Sequence, residues 1–465
     1  MSVLPHPVIN TATGATVSNL NAVFGSRLRT LGLCVPEVLL PSPGTDLGRW
    51  AVVACDQYTS DENYWDVVDG NVGSAPSSLR VVLPEVYLGR ADVPQRVERI
   101  HGTMQGYLRE GVLASLGECF VYVRRTTARS GLREGLVVAV DLERYDYSAR
   151  SKSLIRATEG TIVERIPPRL AVRSAAVLEL PHIMVLMEDA DQSVIEGLGE
   201  RCGSLEPLYD VELMCGGGRV QGYRVAERDD IARILTGFEA LLERAAAKQN
   251  TETPLMWAMG DGNHSLATAK ANWEEMKQAL LESGSSRERV FRHPARWALV
   301  EVVNIHSPGL RFEPIHRAIF TAQRDQLSSF LRGHDSVKHL EPIAEAALRD
   351  LLSGPSGQDK AGYFDGESFF TVHWQTTSKL PPASVDGFFE DLRRGDPSAR
   401  IDFIHGWEET RKLGTAGAAA FFVPVIGRES LFGYVQESGP LPRKAFSMGD
   451  AEEKRYYMEA RRITT

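Results

Sequence analysis

The chain has 465 residues, 43% hydrophobic and 24% charged, an ordinary globular composition with length enough for two or three domains. A net charge of −9 and a pI near 5.8 exclude a general nucleic-acid binder, which needs a basic face. No run of about 18 apolar residues exists to form a membrane helix. The five scattered cysteines lack a CxxC spacing, which argues against zinc and for reduced thiols in the cytoplasm.

In chain order, residues 1–25 lack a basic and then apolar leader pattern and read as a mobile arm. WAVVAC, Trp50 to Cys55, reads as a buried strand. Its end carries Asp56, Tyr58 and Thr59, either as ligand contacts, as α/β folds place them, or as a helix cap. Thr59 or Ser60 is expected to cap a helix carrying Tyr64 and Trp65. SSLRVVLPEVYL reads as a strand ending near Pro84. Residues 93–113 read as a helix with Val97, Ile100, Met104 and Leu108 on one face. CFVYVRRTT and LREGLVVAVDLERY then read as an antiparallel hairpin.

IRATEGTIVERIPPR is different in kind, dense in Arg and Glu and broken by Pro167-Pro168. A solvated face is the usual explanation for such a charge run. Arg156, Arg165 and Arg169 would otherwise suit phosphate oxygens through paired hydrogen bonds, with Glu159 and Thr161 beside them. HIMVLMED is the next strand, and residues 229–249 form a helix.

The run WAMGDGNHSLATAKANW follows, Trp257 to Trp273. An apolar strand meets Gly260, Asp261, Gly262, Asn263 and His264, and a helix begins at once. The plain reading is a turn capped by Asn263 or Ser265, with Leu266, Ala269, Trp273, Met276 and Leu280 as a buried stripe. The functional reading is an anion site, where a helix N-terminus offers backbone N–H groups and a positive dipole end. Ala267 and Ala271 keep one side of the helix thin enough for a ligand to approach.

PARWALVEVVNI, from Pro294, is another buried strand, followed by Pro314-Ile315-His316-Arg317. The default for that pair is a core histidine beside a surface arginine. A domain boundary is expected near Ser328 to Gly333. YFDGESFFTVHW reads as a hairpin turning at Asp365-Gly366. A helix near 383–393 and the apolar run AAAFFVPVI follow, and KRYYMEARRITT closes the chain as a basic tail. Cys55, ending an apolar run, reads as an inert buried thiol. No GxSxG, GxxxxGK[ST] or HExxH motif occurs.

Four of these places resemble a large family catalogued as a domain of unknown function. That family is similar to the nucleotide-binding superfamily of ParB, sulfiredoxin and free serine kinase. The resemblance runs from LCVPEVLLP to FFVPVI and PLPRK. The commonest family motif is Asp-Gly-His-His-Arg; here Asp261, Gly262 and His264 match, while Asn263 and Ser265 depart. Of a family Arg-x-His-Glu-x-Thr segment, Arg156, Glu159 and Thr161 match, with Thr158 in place of the histidine. Pro314, His316 and Arg317 match a Pro-x-His-Arg element, and Lys444 ends a run like the family's Pro-Pro-Lys close.

The resemblance implies a mixed α/β (α+β) fold. A ParB/sulfiredoxin-like nucleotide-binding core with large insertions would occupy 26–326, and an α+β region 327–465. It implies a kinase transferring a phosphoryl group from ATP or ADP, with Mg²⁺, to a metabolite hydroxyl, free L-serine being the first choice. Asp56, Glu159, Asp261 and His264 would be catalytic, with Asp56 or Glu159 taking the hydroxyl proton. Asp261 and Glu159 would stand near the metal. Gly260, Gly262, Asn263, Ser265, Arg156, Thr161, Arg165, Arg169, Lys270, His316 and Arg317 would hold phosphate or nucleotide. Lys270 or an arginine of the 156–169 segment would replace the charge lost at Ser265. The alternatives are a nucleotide or phosphoester hydrolase and a nucleotide-bound interaction protein without turnover. A small hydroxylated metabolite and a second copy of the chain are the expected partners.

Overall fold

Strict alternation in Phe120–Thr127 and Gly131–Asp141 sends successive side chains to opposite faces, and both faces are apolar. In the computed structural model, which describes residues 19–322, 324–354, 357, 359–375 and 380–465, these strands form the expected hairpin at the centre of a large sheet. From one edge, the sheet runs Glu206–Leu213, Gly218–Val225, Phe120–Thr127, Gly131–Asp141, Trp297–Asn304, Met184–Met187, Trp257–Asp261, Ile155–Arg156 and Tyr145–Asp146. Its first half is antiparallel. Beyond Trp297–Asn304, three parallel pairings and one antiparallel pairing follow, which makes the fold mixed α/β.

Val138, Val140, Val300 and Val302 face one core, shared with helices Leu20–Leu31, Arg228–Gln249 and Asn263–Glu282. Val121, Val137 and Leu299 face a second core with Trp50, Trp65, Met104 and the C-terminal residues Tyr456 to Ile463.

The chain divides into two units: residues 1–310 with 450–465, and residues 311–449. The division thus falls at 310/311, not at 326/327, and the last sixteen residues return to the first unit. The expected boundary at Ser328–Gly333 lies inside helix Arg324–Gly333, whose Leu327 and Leu331 are buried in the second unit. That unit is an antiparallel sheet in the order Val337–Ile343, Phe369–Trp374, Lys360–Phe364, Ala419–Phe422, Phe312–Phe320 and Arg400–His405. The Asp365-Gly366 hairpin is present, with Asp365 Oδ1 accepting from the N–H groups of Glu367 and Ser368. The expected helix is there too, over Pro381–Gly395.

Several local expectations give way to tertiary structure. Of the 1–25 arm, residues 1–18 lie outside the described residues. Leu20–Leu31 is a helix, tied down by Arg27 to Glu239 at 2.6 Å and by Trp257 Nε1 donating to the Leu31 carbonyl. SSLRVVLPEVYL forms two single 3₁₀ turns, Ser78–Arg80 and Glu85–Tyr87, because Ser77 and Ser78 spend their hydroxyls on the Trp50 carbonyl. Helix Glu62–Val72 is capped by Asp61 rather than Thr59 or Ser60. Residues 51–54 are extended and buried, but their partner is the C-terminal segment. Ala54 N–H donates to the Arg455 carbonyl and Tyr457 N–H to the Val52 carbonyl, both at 2.9 Å.

That pairing overturns the reading of KRYYMEARRITT as a basic tail. Lys454 to Arg461 is buried throughout. Arg455 is neutralised by Glu301 and Glu459 and donates to the Pro181 carbonyl. Arg461 is paired with Glu179 at 2.6 Å, and Tyr209 donates to Glu459 at 2.5 Å. Cations at this depth persist only when paired and hydrogen-bonded. Among the described residues, no helix is long and apolar enough to cross a membrane.

Candidate functional site

The strand Trp257–Asp261 carries an irregularity at its end. Met259 lies opposite Val185 and Asp261 opposite Met184, so Gly260 is an extra residue that re-aims Asp261. Gly262 then turns at φ +77°, the left-handed region, where an added Cβ would meet Ile183 Cα and Cγ1 at 3.1 Å. Only glycine fits there. Gly262 is itself the N-cap of helix Asn263–Glu282, and no side chain caps that helix. Neither Asn263 nor Ser265 takes the capping role, because the left-handed glycine occupies the cap position. The side-chain oxygen of Asn263 is buried without a hydrogen-bond partner.

The side chains around this turn come from four distant parts of the chain. Asp261 Oδ2 lies 3.1 Å from Lys454 Nζ, and its Oδ1 accepts from Gly262 N–H at 3.0 Å. His264 Nε2 accepts from Ile162 N–H at 3.3 Å. Thr158, where the family has histidine, donates to the Met259 carbonyl at 2.6 Å and ties its segment to the strand. Ser265 Oγ is 2.8 Å from His182 Nε2. The Tyr457 hydroxyl accepts from Cys55 N–H at 3.1 Å and shares a hydrogen bond with His182 Nδ1 at 2.8 Å. His182 Nε2 faces Ser265 and, at 3.8 Å, Asp56 Oδ2.

Burial opposes charge on Asp56, but His182, a hydrogen bond from Gln57 and Lys454 outweigh it and hold the carboxyl below its ordinary value. Burial pushes the Cys55 thiol far above its usual range, so it is inert at neutral pH.

The structure thus brings Asp56, Asp261, His264 and Ser265 into one neighbourhood, linked through His182 and Lys454. Glu159 stands on the same segment as Thr158 and Thr161, and the Thr161 hydroxyl is buried without a hydrogen bond. The expected cations are differently used. Arg156 is buried and braces the Ser153 and Thr253 carbonyls. Arg169 pairs with Glu85 at 2.5 Å. Lys270 pairs with Glu274 one turn along its own helix. Arg165 is exposed. The cation on the motif carboxylate is Lys454.

His316 and Arg317 belong to the second unit and make their hydrogen bonds there. His316 Nδ1 accepts from Val423 N–H, and its ring sits against Trp407 and Phe422. Burial, and then Arg317 and His405, push its pKa down to about 3. Arg317 is fully buried rather than a surface residue. It holds Asp386 at 3.0 Å and donates to the Ile315 and Lys444 carbonyls.

Sequence reasoning missed His182, Tyr457 and Lys454. The first lies just before the buried strand Met184–Met187, straight after Pro181, a place where a polar ring needs partners. The other two lie in a segment whose Tyr456, Tyr457, Met458 and Ala460 interleave its charges, unlike a solvated tail.

Among the described residues, no group of three or more His, Cys, Asp or Glu is placed to hold a metal ion. Both Asp261 oxygens are already engaged. These residues do not form an all-protein magnesium cage, which would need several oxygen ligands.

The family model "Protein of unknown function (DUF1015)" matches residues 39–388. No curated protein matches the chain. Among solved structures, the chain is similar to free serine kinase in complex with AMP at 9% identity and a TM-score of 0.36, covering 73% of this chain and 94% of that one. It is similar to a conserved hypothetical protein from Pyrococcus furiosus at 9% identity and a TM-score of 0.34, covering 70% and 95%. The chain belongs to the DUF1015 family.

Proposed function

We propose that this DUF1015 member binds nucleotide phosphates at the Gly260–Ser265 turn and transfers a phosphoryl group to a metabolite hydroxyl. The observation that carries the reading is an uncapped helix N-terminus with Lys454 set beside it on Asp261. Phosphoryl transfer needs little from a protein beyond positioning and neutralisation of charge. The N–H groups of the first turn and His264 would hold phosphate oxygens. Lys454 would move from Asp261 to the phosphate, replacing the charge that the family motif carries where this chain has Ser265. Asn263 would donate its side-chain N–H groups to a phosphate oxygen of the same ligand.

Asp56, ionised at neutral pH and next to His182, would accept the proton of the incoming hydroxyl. As the acceptor oxygen bonds to the terminal phosphorus, the bond from that phosphorus to its bridging oxygen breaks. The nucleotide departs with the electron pair, one phosphate shorter. Glu159 is the second candidate base. ATP or ADP is the expected donor, with Mg²⁺ in the assay because phosphoryl transfer uses it, and free L-serine is the first acceptor to try.

One observation favours a nucleotide-bound protein without turnover. Ser265 binds His182, so the motif arginine is replaced by a group already engaged inside the site. Thermal-shift measurements with ATP, ADP, CTP and GTP, each with and without L-serine, test both readings, since a ligand of the native state raises the melting temperature. A nucleotide shift with a phosphorylated product supports transfer. A shift with no product over many hours supports the binding protein. No shift with any nucleotide overturns both.

A further inference from the structure

The polar cluster opens onto a cavity of about 150 Å³. Cys55, His182, Ser265 and Tyr457 line it, and Thr268 adds the next turn of the motif helix. Its other walls are mainly aliphatic, among them Val81, Leu83, Met104, Val172, Leu180 and Leu299. Two ion pairs, Glu85–Arg169 and Arg173–Glu179, border it, each charge already matched at 2.5 Å.

Free serine does not use such walls. It brings one methylene, an ammonium and a carboxylate, and the bordering charges are already paired with each other. An apolar cavity of about this volume takes a benzene ring. Ligand sites are typically apolar clefts with a few convergent polar groups that fix orientation, and this cavity has its polar groups at one end.

We propose that the cavity seats the apolar body of the phosphoryl acceptor. The acceptor class is a neutral alcohol bearing an aromatic ring or a branched aliphatic chain of about six carbons, its hydroxyl at the His182 end of the cavity, where Asp56 Oδ2 stands 3.8 Å from the ring. This assignment deepens the phosphotransferase reading and rests on it for the word acceptor. Binding in the cavity stands on the cavity alone. The transfer is the one written above, with ATP or ADP as donor: the alcohol oxygen gains the phosphorus, its proton goes to Asp56, and the nucleotide leaves with the electron pair.

The test is calorimetric titration of the full chain with 2-phenylethanol, 3-methylbutan-1-ol, ethanol and L-serine, with and without ATP and Mg²⁺. Affinity should fall about fourfold for each methylene lost, the fold-change equivalent of burying a CH₂. Val172→Phe, at a half-buried helix position on the wall, fills the cavity and should abolish alcohol binding while leaving the nucleotide shift intact. Leu180→Phe, from a different segment of the wall, serves if that variant does not fold. Serine binding without any alcohol binding overturns the assignment, as does alcohol binding that ignores both variants. Alcohol binding that survives in a protein with no nucleotide shift leaves the cavity assigned and sinks the phosphotransferase instead.

Discussion

Two histidine clusters in this chain share an inventory and differ in what they leave available. Around His182 stand Asp56, Ser265, Tyr457 and, through Asp56, Lys454. Around His316 stand Arg317, Asp386 and a set of carbonyls. The second cluster is closed. Arg317 is sealed from solvent and its guanidinium is committed to a carboxylate and backbone oxygens, while His316 is held neutral by burial. The first borders a cavity and a helix start without a side-chain cap. Residue types announce chemistry in both places. Unspent hydrogen-bonding capacity with room beside it separates a site from a brace.

The sharpest way to break that contrast is to remove the brace. Arg317→Ala leaves Asp386 and the Ile315 and Lys444 carbonyls without their donor. Truncating one partner of a fully buried pair costs roughly 3–5 kcal/mol; Asp386 is 29% exposed and regains water, so chemical denaturation should show a loss toward the lower end of that range. Hydrogen exchange should localise it to peptides covering 312–320 and 419–423. The nucleotide-dependent thermal shift should survive in the fraction that folds. Loss of nucleotide binding with full stability would return Arg317 to the phosphate-binding set.

The next effect is a pH dependence. His316 binds a proton in the unfolded chain near pH 6.5 but in the folded chain only near pH 3. Its contribution to stability is therefore complete above about pH 6.5 and is lost progressively as pH falls toward 3. Between pH 6.5 and 5 the loss is about 2 kcal/mol. His316→Gln should flatten that slope relative to the parent, read by fluorescence of Trp407, which packs edge-on against the ring. A parent slope unchanged by the substitution would mean that His316 is not the group responsible.

The same contrast explains what could be read in advance. The hairpin at 120–141, the helix at 228–249 and the glycine turn each follow from local rules: period, cap and the left-handed glycine. The identity of the site's lysine does not, because Lys454 reaches Asp261 only after its segment threads beside residues 51–54 and pairs across the fold. SSLRVVLPEVYL failed for a related reason. Its β-forming composition lost to two serine hydroxyls that satisfy a distant carbonyl. The C-terminal charges looked solvated because their counter-charges, Glu301 and Glu179, lie more than 150 residues away.

Lys454→Met tests that missed residue. Its pair with Asp261 is largely buried, so the fold should lose up to about 3 kcal/mol. The nucleotide-dependent shift should nevertheless disappear, as it should in Asp261→Ala and His264→Ala with the fold intact by circular dichroism. A shift kept in all three variants would put the phosphate site elsewhere. Lys454→Arg should retain part of the shift, since charge rather than shape is what a phosphate first requires.

Asp56→Asn should have the smallest effect on stability and the most specific one on pH. Burial favours the neutral carboxyl, but His182, Gln57 and Lys454 together favour the charged form more, so the folded pKa lies below the usual value near 4. A depressed acid contributes stability that is present above its unfolded pKa and lost as pH falls through the folded one. The parent and Asp56→Asn should therefore differ by a constant amount from pH 8 to 5 and converge only below about 4, whereas parent and His316→Gln diverge from 6.5 downward. Product formation should behave differently from stability. If Asp56 takes the hydroxyl proton, the variant should bind nucleotide normally and form product at a rate lower by about 10²–10⁴. A variant with wild-type turnover would move the base to Glu159 and leave Asp56 as the group that orients His182.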